Sequence, residues 1–417
     1  MPLSIPGPLG FLQNPRSVRQ DVYHADGRTE ILSLKSLANA EREITAWPGY
    51  TPTRLVQMSG IASALKLSQI YYKDEGSRFG LGSFKALGGA YAVLRYLKKQ
   101  IKSQLGSEPE TSELTHGVHK KITSALTVAC ATDGNHGKSV AWGAQMFACN
   151  CVIYVHAGVS QARRDAIAAY GARVLEVQGT YDDAVRKAAK DAQLNGWQVI
   201  SDTSYKGYMD VPRDVMQGYG IIAQEASRQY PEKARPTHVF VQGGVGGVAA
   251  SLCSWFWESW GSQAPRFIVV EPDRADCLLR SANAGKPTAA EGDLNTIMAG
   301  LACGEVSLSA WSILRDGADA FLTITDKAAM ETMRLLANVP FDDPVVVAGE
   351  SAVAGLAGAI LSAGDPKIRA ALGLSKDSVV LVVGTETATD PEMYEKIVGR
   401  RLESMQDGTS QPAGTTS

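Results

Sequence analysis

Leu126-Thr127-Val128-Ala129-Cys130-Ala131 runs directly into Thr132-Asp133-Gly134-Asn135-His136-Gly137, and Lys138 to Phe147 is then helical in composition. A short apolar run, a glycine-containing turn and a helix make one strand–turn–helix unit. The pattern continues downstream. Strands are expected at 151–155, 173–177 and 198–201, helices at 161–170 and 181–194, and a stop at Gly171. A second series begins at His238, with a strand at 239–242, a turn Gly243-Gly244-Val245-Gly246-Gly247 and a helix at 248–257. Later strands are expected at 266–270 and 379–383. Repeated strand–helix units imply α/β architecture, with parallel sheets covered by helices. Ligands of such sheets bind at the carboxyl ends of strands, where both glycine turns fall.

The chain has 417 residues, more than one ordinary core absorbs, so two domains are expected. A formal net charge of -2, with basic doublets only at Lys120-Lys121 and Arg163-Arg164, argues against a nucleic-acid surface. The longest apolar stretches suit buried strands rather than a membrane span, so no membrane association is expected. Met1 to Gly10 lacks the basic segment and apolar run of a secretory signal. Six cysteines without a regular framework suggest a reduced compartment, hence a cytoplasmic protein. Cys149-Asn150-Cys151 is too tightly spaced for a zinc knuckle, and no metal site is expected. The stretch 103–124 is polar and reads as an exposed irregular connection; 403–417 reads as a disordered tail.

Three stretches carry chemistry. The turn at 243–247 offers bare backbone amides at a helix start, a cradle for a phosphate. Gly244, Gly246 and Ala249 also fit a dinucleotide fingerprint, and Glu271 ends the next strand where a ribose-binding acid would sit. A nicotinamide (NAD) oxidoreductase is therefore a rival reading of that segment. In Ser83-Phe84-Lys85-Ala86-Leu87-Gly88-Gly89-Ala90, small and aromatic neighbours set Lys85 for partial burial, which favours the neutral amine needed for an imine. A snorkelling surface lysine is the plain alternative. Thr132 to Gly137 puts an acid, an amide and an imidazole in a turn before a helix, able to wrap a carboxylate; an Asp helix cap is its plain alternative.

Taken in order, these three stretches resemble fold-type II pyridoxal-phosphate enzymes, among them tryptophan synthase β, serine/threonine dehydratases and cysteine synthases. The nearer resemblance is to the diaminopropionate ammonia-lyase family, from about Pro48 to Asp390. It rests on Tyr72-Lys73-Asp74-Glu75, Arg78-Phe79-Gly80-Leu81, Phe84-Lys85 with Leu87 to Ala92, Thr132 to Gly137, Val270-Glu271-Pro272-Asp273 and Ala275-Asp276-Cys277. Ile297 to Glu305, ending in Cys303-Gly304-Glu305, is its most diagnostic run, and Gly349-Glu350-Ser351 follows.

The resemblance implies two parallel-sheet α/β domains with pyridoxal 5'-phosphate between them: a large one from 1–88 and 225–402, and a small one from 89–224. It implies that Lys85 bonds the cofactor, Asn135 lies beside its phenolic oxygen, and Gly243, Gly244, Val245, Gly246 and Gly247 hold its phosphate. Thr385 would face the pyridine nitrogen, where a hydroxyl leaves the ring a weaker electron sink. Lys85 and Asp133 would serve as bases on opposite faces of a small amino acid, and Asp202 would anchor or help expel a β-ammonium group. The implied reaction is elimination of D- or L-2,3-diaminopropionate to pyruvate and ammonia, by a homodimer. Asp133, where many relatives carry Ser or Thr, argues against a dehydratase or β-replacing synthase. A catalytically silent binding protein would have lost the lysine or the carboxylates. The sequence departs from the family at Arg54, at Glu386 to Asp390 and by an extra glycine in the 243–247 turn. Cys277 and Cys303 lie in matching runs and are expected near each other at the site mouth, as a reversible disulfide or as two separate thiols.

Overall fold

The computed structural model describes residues 3–7, 10–18, 23–24, 27–132, 134–231 and 234–402. Asp133 and the tail 403–417 lie outside the described residues. The strands are β1 (Gly10–Gln13), β2 (Arg54–Gln57), β3 (Gln69–Asp74), β4 (Thr127–Ala131), β5 (Asn150–His156), β6 (Arg173–Val177), β7 (Gln198–Val199), β8 (His238–Gln242), β9 (Arg266–Pro272), β10 (Ala320–Ile324) and β11 (Val379–Gly384).

They form two sheets. The larger has the order β1-β10-β9-β8-β11-β3-β2; its five inner strands are parallel, and β1 and β2 close the edges antiparallel. The smaller, β6-β5-β4-β7, is parallel throughout and falls wholly between β3 and β8 in the chain. Strands β8 and β10 are buried along their whole length, as parallel strands covered on both faces must be. Their Val, Ile and Phe residues satisfy that demand. Among the described residues no helix is long and apolar enough to cross a membrane.

One polar stretch departs from expectation. The helix Lys85–Leu105 continues past Ser103, and short helices follow at Thr111–Thr115 and Lys120–Thr123. Glu110 and Glu113 form a capping box, and Leu114 is buried, so a few well-placed residues order a segment whose composition reads as loop.

The helices Asn135–Met146 and Asp210–Tyr219 both pack against the helix Lys85–Leu105. Glycines permit the approach. A Cβ on Gly143 would stand 2.7 Å from the Ala90 Cα, and one on Gly218 only 1.9 Å from the Leu87 carbonyl oxygen. Neither neighbour is a side chain that can swing away. Gly218→Ala gains up to about 1 kcal/mol of helix propensity but forces two backbones apart, costing about 1–3 kcal/mol or more. The expected net result is a lower midpoint of urea or thermal unfolding than the parent's, with lost activity, because the displaced helix begins at Lys85.

Candidate active site

The carboxyl ends of β3, β8 and β11 from one sheet, and of β4 and β7 from the other, lead into the residues singled out above. After β3 the chain makes a 3-10 turn, Glu75–Gly80, and enters the Lys85 helix. Phe84 N donates to the Thr385 carbonyl at 3.0 Å, and Ser83 bridges to Glu386, so the Lys85 turn is stitched to the end of β11. Thr385 itself is buried. Ser139 Oγ donates to the Lys85 carbonyl at 2.6 Å and accepts from Ala90 N at 3.1 Å, fixing the first turn of the helix from the smaller sheet's side.

Lys85 Nζ stands 2.6 Å from Asp202 Oδ2, with both side chains about one-fifth exposed, at 20% and 18%. Burial works against the Lys85 ammonium, but the Asp202 carboxylate outweighs it and holds the lysine above its ordinary value. Burial likewise opposes the Asp202 charge, yet Lys85 and His136 keep that carboxyl well below its usual range. The expectation that burial would leave Lys85 neutral is thereby corrected: its neighbour decides the charge. His136 is pushed down by burial, and its Nε2 lies 3.1 Å from the Ile200 carbonyl. The Asp202 loop is tied to the glycine turn through Ser204: Ser204 N donates to Ser307 Oγ at 3.0 Å, and Ser307 N to the Val245 carbonyl at 2.9 Å.

Asn135 opens the helix Asn135–Met146, and its Nδ2 donates to Glu386 Oε2 at 2.5 Å. The helix thus starts three residues earlier than its composition suggests, because Thr132 Oγ1 accepts from the amides of Gly134 and Gly137 at 3.1 and 3.0 Å. Glu386 Oε1 accepts from Ser351 N at 3.2 Å. Burial raises the Glu386 carboxyl, and it raises Glu350 to about 8, with the Glu386 charge adding to the effect. Arg163 Nη2 lies 3.7 Å from Glu350 and 3.6 Å from Asp390. Glu350 and Glu386 were not among the sequence candidates. The signal available was acids placed directly after a buried strand and inside the apolar run around Ala352.

In the glycine turn Gly244 and Gly246 have φ of +59° and +99°, conformations that suit glycine, and Gly246 caps the helix Gly247–Trp260. Glu271 is not free to bind a ribose: Oε1 and Oε2 accept from the amides of Leu278 and Leu279, each at 2.8 Å. Burial raises its carboxyl to about 8. Arg54, the family departure, pairs with Asp74 at 2.6 Å. Cys277 and Cys303 both lie beside Gly244 and are not joined in a disulfide: Cys277 Sγ donates to the Gly244 carbonyl at 3.6 Å, and a Cβ on Gly244 would lie 3.7 Å from Cys303 Sγ.

Comparison with known proteins gives this geometry its family. The model of the family described as "Pyridoxal-phosphate dependent enzyme" matches residues 46–386. Diaminopropionate ammonia-lyase of Escherichia coli K12 is 39% identical over 378 residues, covering 89% of this chain and 94% of that protein. This chain belongs to the diaminopropionate ammonia-lyase family. The crystal structure of the holo E. coli lyase superposes with a TM-score of 0.86 at 36% identity, covering 95% of this chain and 98% of that one. Its complex with D-serine gives 0.84 at 36% identity, covering 94% and 97%. The fold is that of fold-type II pyridoxal-phosphate enzymes. The residues present suit the lyase family's cofactor: an amine for its aldehyde, a positive-φ glycine turn at a helix start for its phosphate, a buried hydroxyl at Thr385 and a half-buried amide at Asn135.

The buried acids make stability depend on pH. Glu350 keeps its proton to about 8 when folded, against 4.5 for the free group. Its contribution is fully present below the unfolded value and is lost as pH rises through the folded one. Glu350→Gln should therefore unfold near the parent's midpoint at about pH 5 and above it at about pH 8. A pH-independent difference between the two would show that the Glu350 carboxyl does not titrate in this range.

Proposed function

We propose that this chain eliminates the β-amino group of 2,3-diaminopropionate, D and L, to give pyruvate and ammonia. Lys85, Asn135, Thr385 and the turn Gly243-Gly244-Val245-Gly246-Gly247 hold the cofactor in this reading. The observation that carries it is the Lys85 Nζ to Asp202 Oδ2 contact of 2.6 Å at the carboxyl ends of both sheets. The site already pairs a carboxylate with a primary ammonium, the chemistry a β-ammonium substrate presents. Bound there, pyridoxal 5'-phosphate supplies an electron sink that acidifies the Cα–H bond of an amino acid.

The protein's own groups do the rest. Lys85, once it has passed its proton on, takes the Cα proton from one face, and Asp133 takes it from the other. Asp202 keeps the departing amine protonated, and an ammonium is a far better leaving group than an amide ion. Glu386 orients Asn135 through their hydrogen bond. The enamine released, 2-aminoacrylate, tautomerises and hydrolyses to pyruvate and ammonia. The division into 1–88 with 225–402 and 89–224 belongs to the same reading, supported by a smaller sheet lying wholly between β3 and β8 in the chain. So do a homodimer and a cytoplasmic location, tested by light scattering and cell fractionation.

The purified protein should be yellow, and borohydride should bleach the colour and leave an adduct that peptide mapping assigns to Lys85. Pyruvate should form from both diaminopropionate enantiomers faster than from serine. A colourless protein that binds NADH would overturn the reading. Serine turnover exceeding that of diaminopropionate would favour a dehydratase.

The two carboxylates separate by substrate. Asp133→Asn should cost one enantiomer on the order of 10²–10⁴ in kcat and spare most of the other. Asp202→Asn should weaken both enantiomers alike and harm diaminopropionate more than serine. Equal loss of both enantiomers in Asp133→Asn would refute the two-face assignment.

A further inference from the structure

Tyr219 ends the helix Asp210–Tyr219 and is 1% exposed. Its ring centroid lies 4.7 Å from that of Phe84, and Lys85 Nζ lies 5.9 Å from it. Two glycines make room for the ring. A Cβ on Gly88 would come within 2.4 Å of it, and one on Gly247 would lie 3.7 Å from Tyr219 Cε2. The phenol therefore fills the space between the first turn of the Lys85 helix and the first residue of the helix after the glycine turn.

Its hydroxyl is buried and has no partner at ordinary hydrogen-bond geometry among the described residues, and Lys85 is the one side chain near enough to act on it as a hydrogen-bonding neighbour. A buried hydroxyl without a partner costs stability, and phenylalanine would fill the same space without that cost. Two charged groups act on the phenol: burial raises it, the Lys85 ammonium lowers it through its charge and as a hydrogen-bonding neighbour, and the Asp202 carboxylate raises it. Stacking, glycine clearance and an orphaned oxygen all direct attention to Nζ.

We infer that Tyr219 is a positioning residue for Lys85, its hydroxyl partnering Nζ in both protonation states. Asp202 accepts only. It can hold an N–H of Lys85 but offers nothing to the lone pair of the neutral amine. A phenol does both. Its oxygen accepts from the ammonium, and its O–H, turned about the C–O bond, donates to the neutral amine. With Asp202 on one side and Tyr219 on another, Nζ keeps one direction as its proton arrives and leaves. The inference deepens the proposed function and rests on Lys85 being the cofactor lysine.

The groups facing Lys85 are Asp202, Tyr219 and Cys303, with His136 also close enough to act on its charge. Removing the phenol oxygen takes away one support for the ammonium, so the lysine's protonation midpoint should fall. The test is Tyr219→Phe as holoenzyme, read by Tm, by kcat and KM for diaminopropionate across pH, and by the pH titration of the visible band without substrate. The Tm should stay at or above the parent's. kcat should drop about tenfold or more with little change in KM, and the acid limb of its pH profile should move to lower pH. The visible titration should shift as well. Tyr219→Leu, which also removes the ring, should give the same pH shift with a lower Tm. An unchanged pH profile and kcat in either folded variant would overturn the inference. Failure of Tyr219→Phe to fold would overturn it too, because the hydroxyl would then serve the fold. A parent protein without cofactor or lyase activity would instead refute the proposed function, so the two failures are distinguishable.

Discussion

A lysine ammonium held against a carboxylate, contributed by segments 117 positions apart, is the constraint around which this molecule is arranged. Bringing Lys85 to Asp202 requires the carboxyl ends of two separate sheets to share one cleft. Water leaves that cleft only in part, and partial desolvation is what makes the pair strong yet still exchangeable. Each partner is anchored from the opposite side: Ser139 holds the Lys85 carbonyl, while Ser204 and Ser307 tie the Asp202 loop to the glycine turn. The geometry is thus a property of both sheets together.

Behind the lysine turn sits a second set of charges with a different task. Lys73 and Arg78 are paired with Glu75 and Glu225 at 2.6–2.8 Å, all almost wholly buried, and Thr53 bonds Glu75 at 2.6 Å. Two cations and two carboxylates cancel, and their hydrogen bonds demand fixed directions. The network binds β3 and the turn after it to the helix Ile221–Gln229. Its members include three residues of the family-matching stretch at 72–81, Lys73, Glu75 and Arg78, and none of the three is bonded to the Lys85–Asp202 pair. Their pattern in the sequence reports scaffold, not chemistry.

Acids near the glycine turn are raised by burial. Glu271 lies under the glycine turn, so close that a Cβ on Gly243 would stand 2.7 Å from its Cγ. A carboxylate there would oppose a phosphate, but burial raises it to about 8 and two backbone amides occupy its oxygens. Glu350 and Glu386 crowd each other, and one charge between them is disfavoured in the same way. Asp202 differs from Glu271, Glu350 and Glu386 in that the Lys85 ammonium beside it outweighs burial and keeps it charged.

The sequence by itself determined much of the strand–helix alternation, since period and glycine punctuation are local properties: β6 lies at Arg173–Val177 as expected, and the other six expected strands agree within two residues, whereas β1, β2, β3 and β10 stand where no strand was expected. It also singled out the lysine turn and the two glycine turns, three stretches that the fold brings to the carboxyl ends of the two sheets. Local pattern missed the short helices at Thr111–Thr115 and Lys120–Thr123, whose order comes from one capping box and a buried leucine. Tertiary structure alone decided the charge of Lys85, because charge depends on what lies within a few ångströms and not on flanking residues. It alone brought Glu386 to Asn135 across 251 positions, turned Glu271 from a ribose candidate into a helix cap, and set Tyr219 over the lysine. Each of these is a contact between segments far apart in the chain, and proximity of that kind is written in the packing of the two sheets.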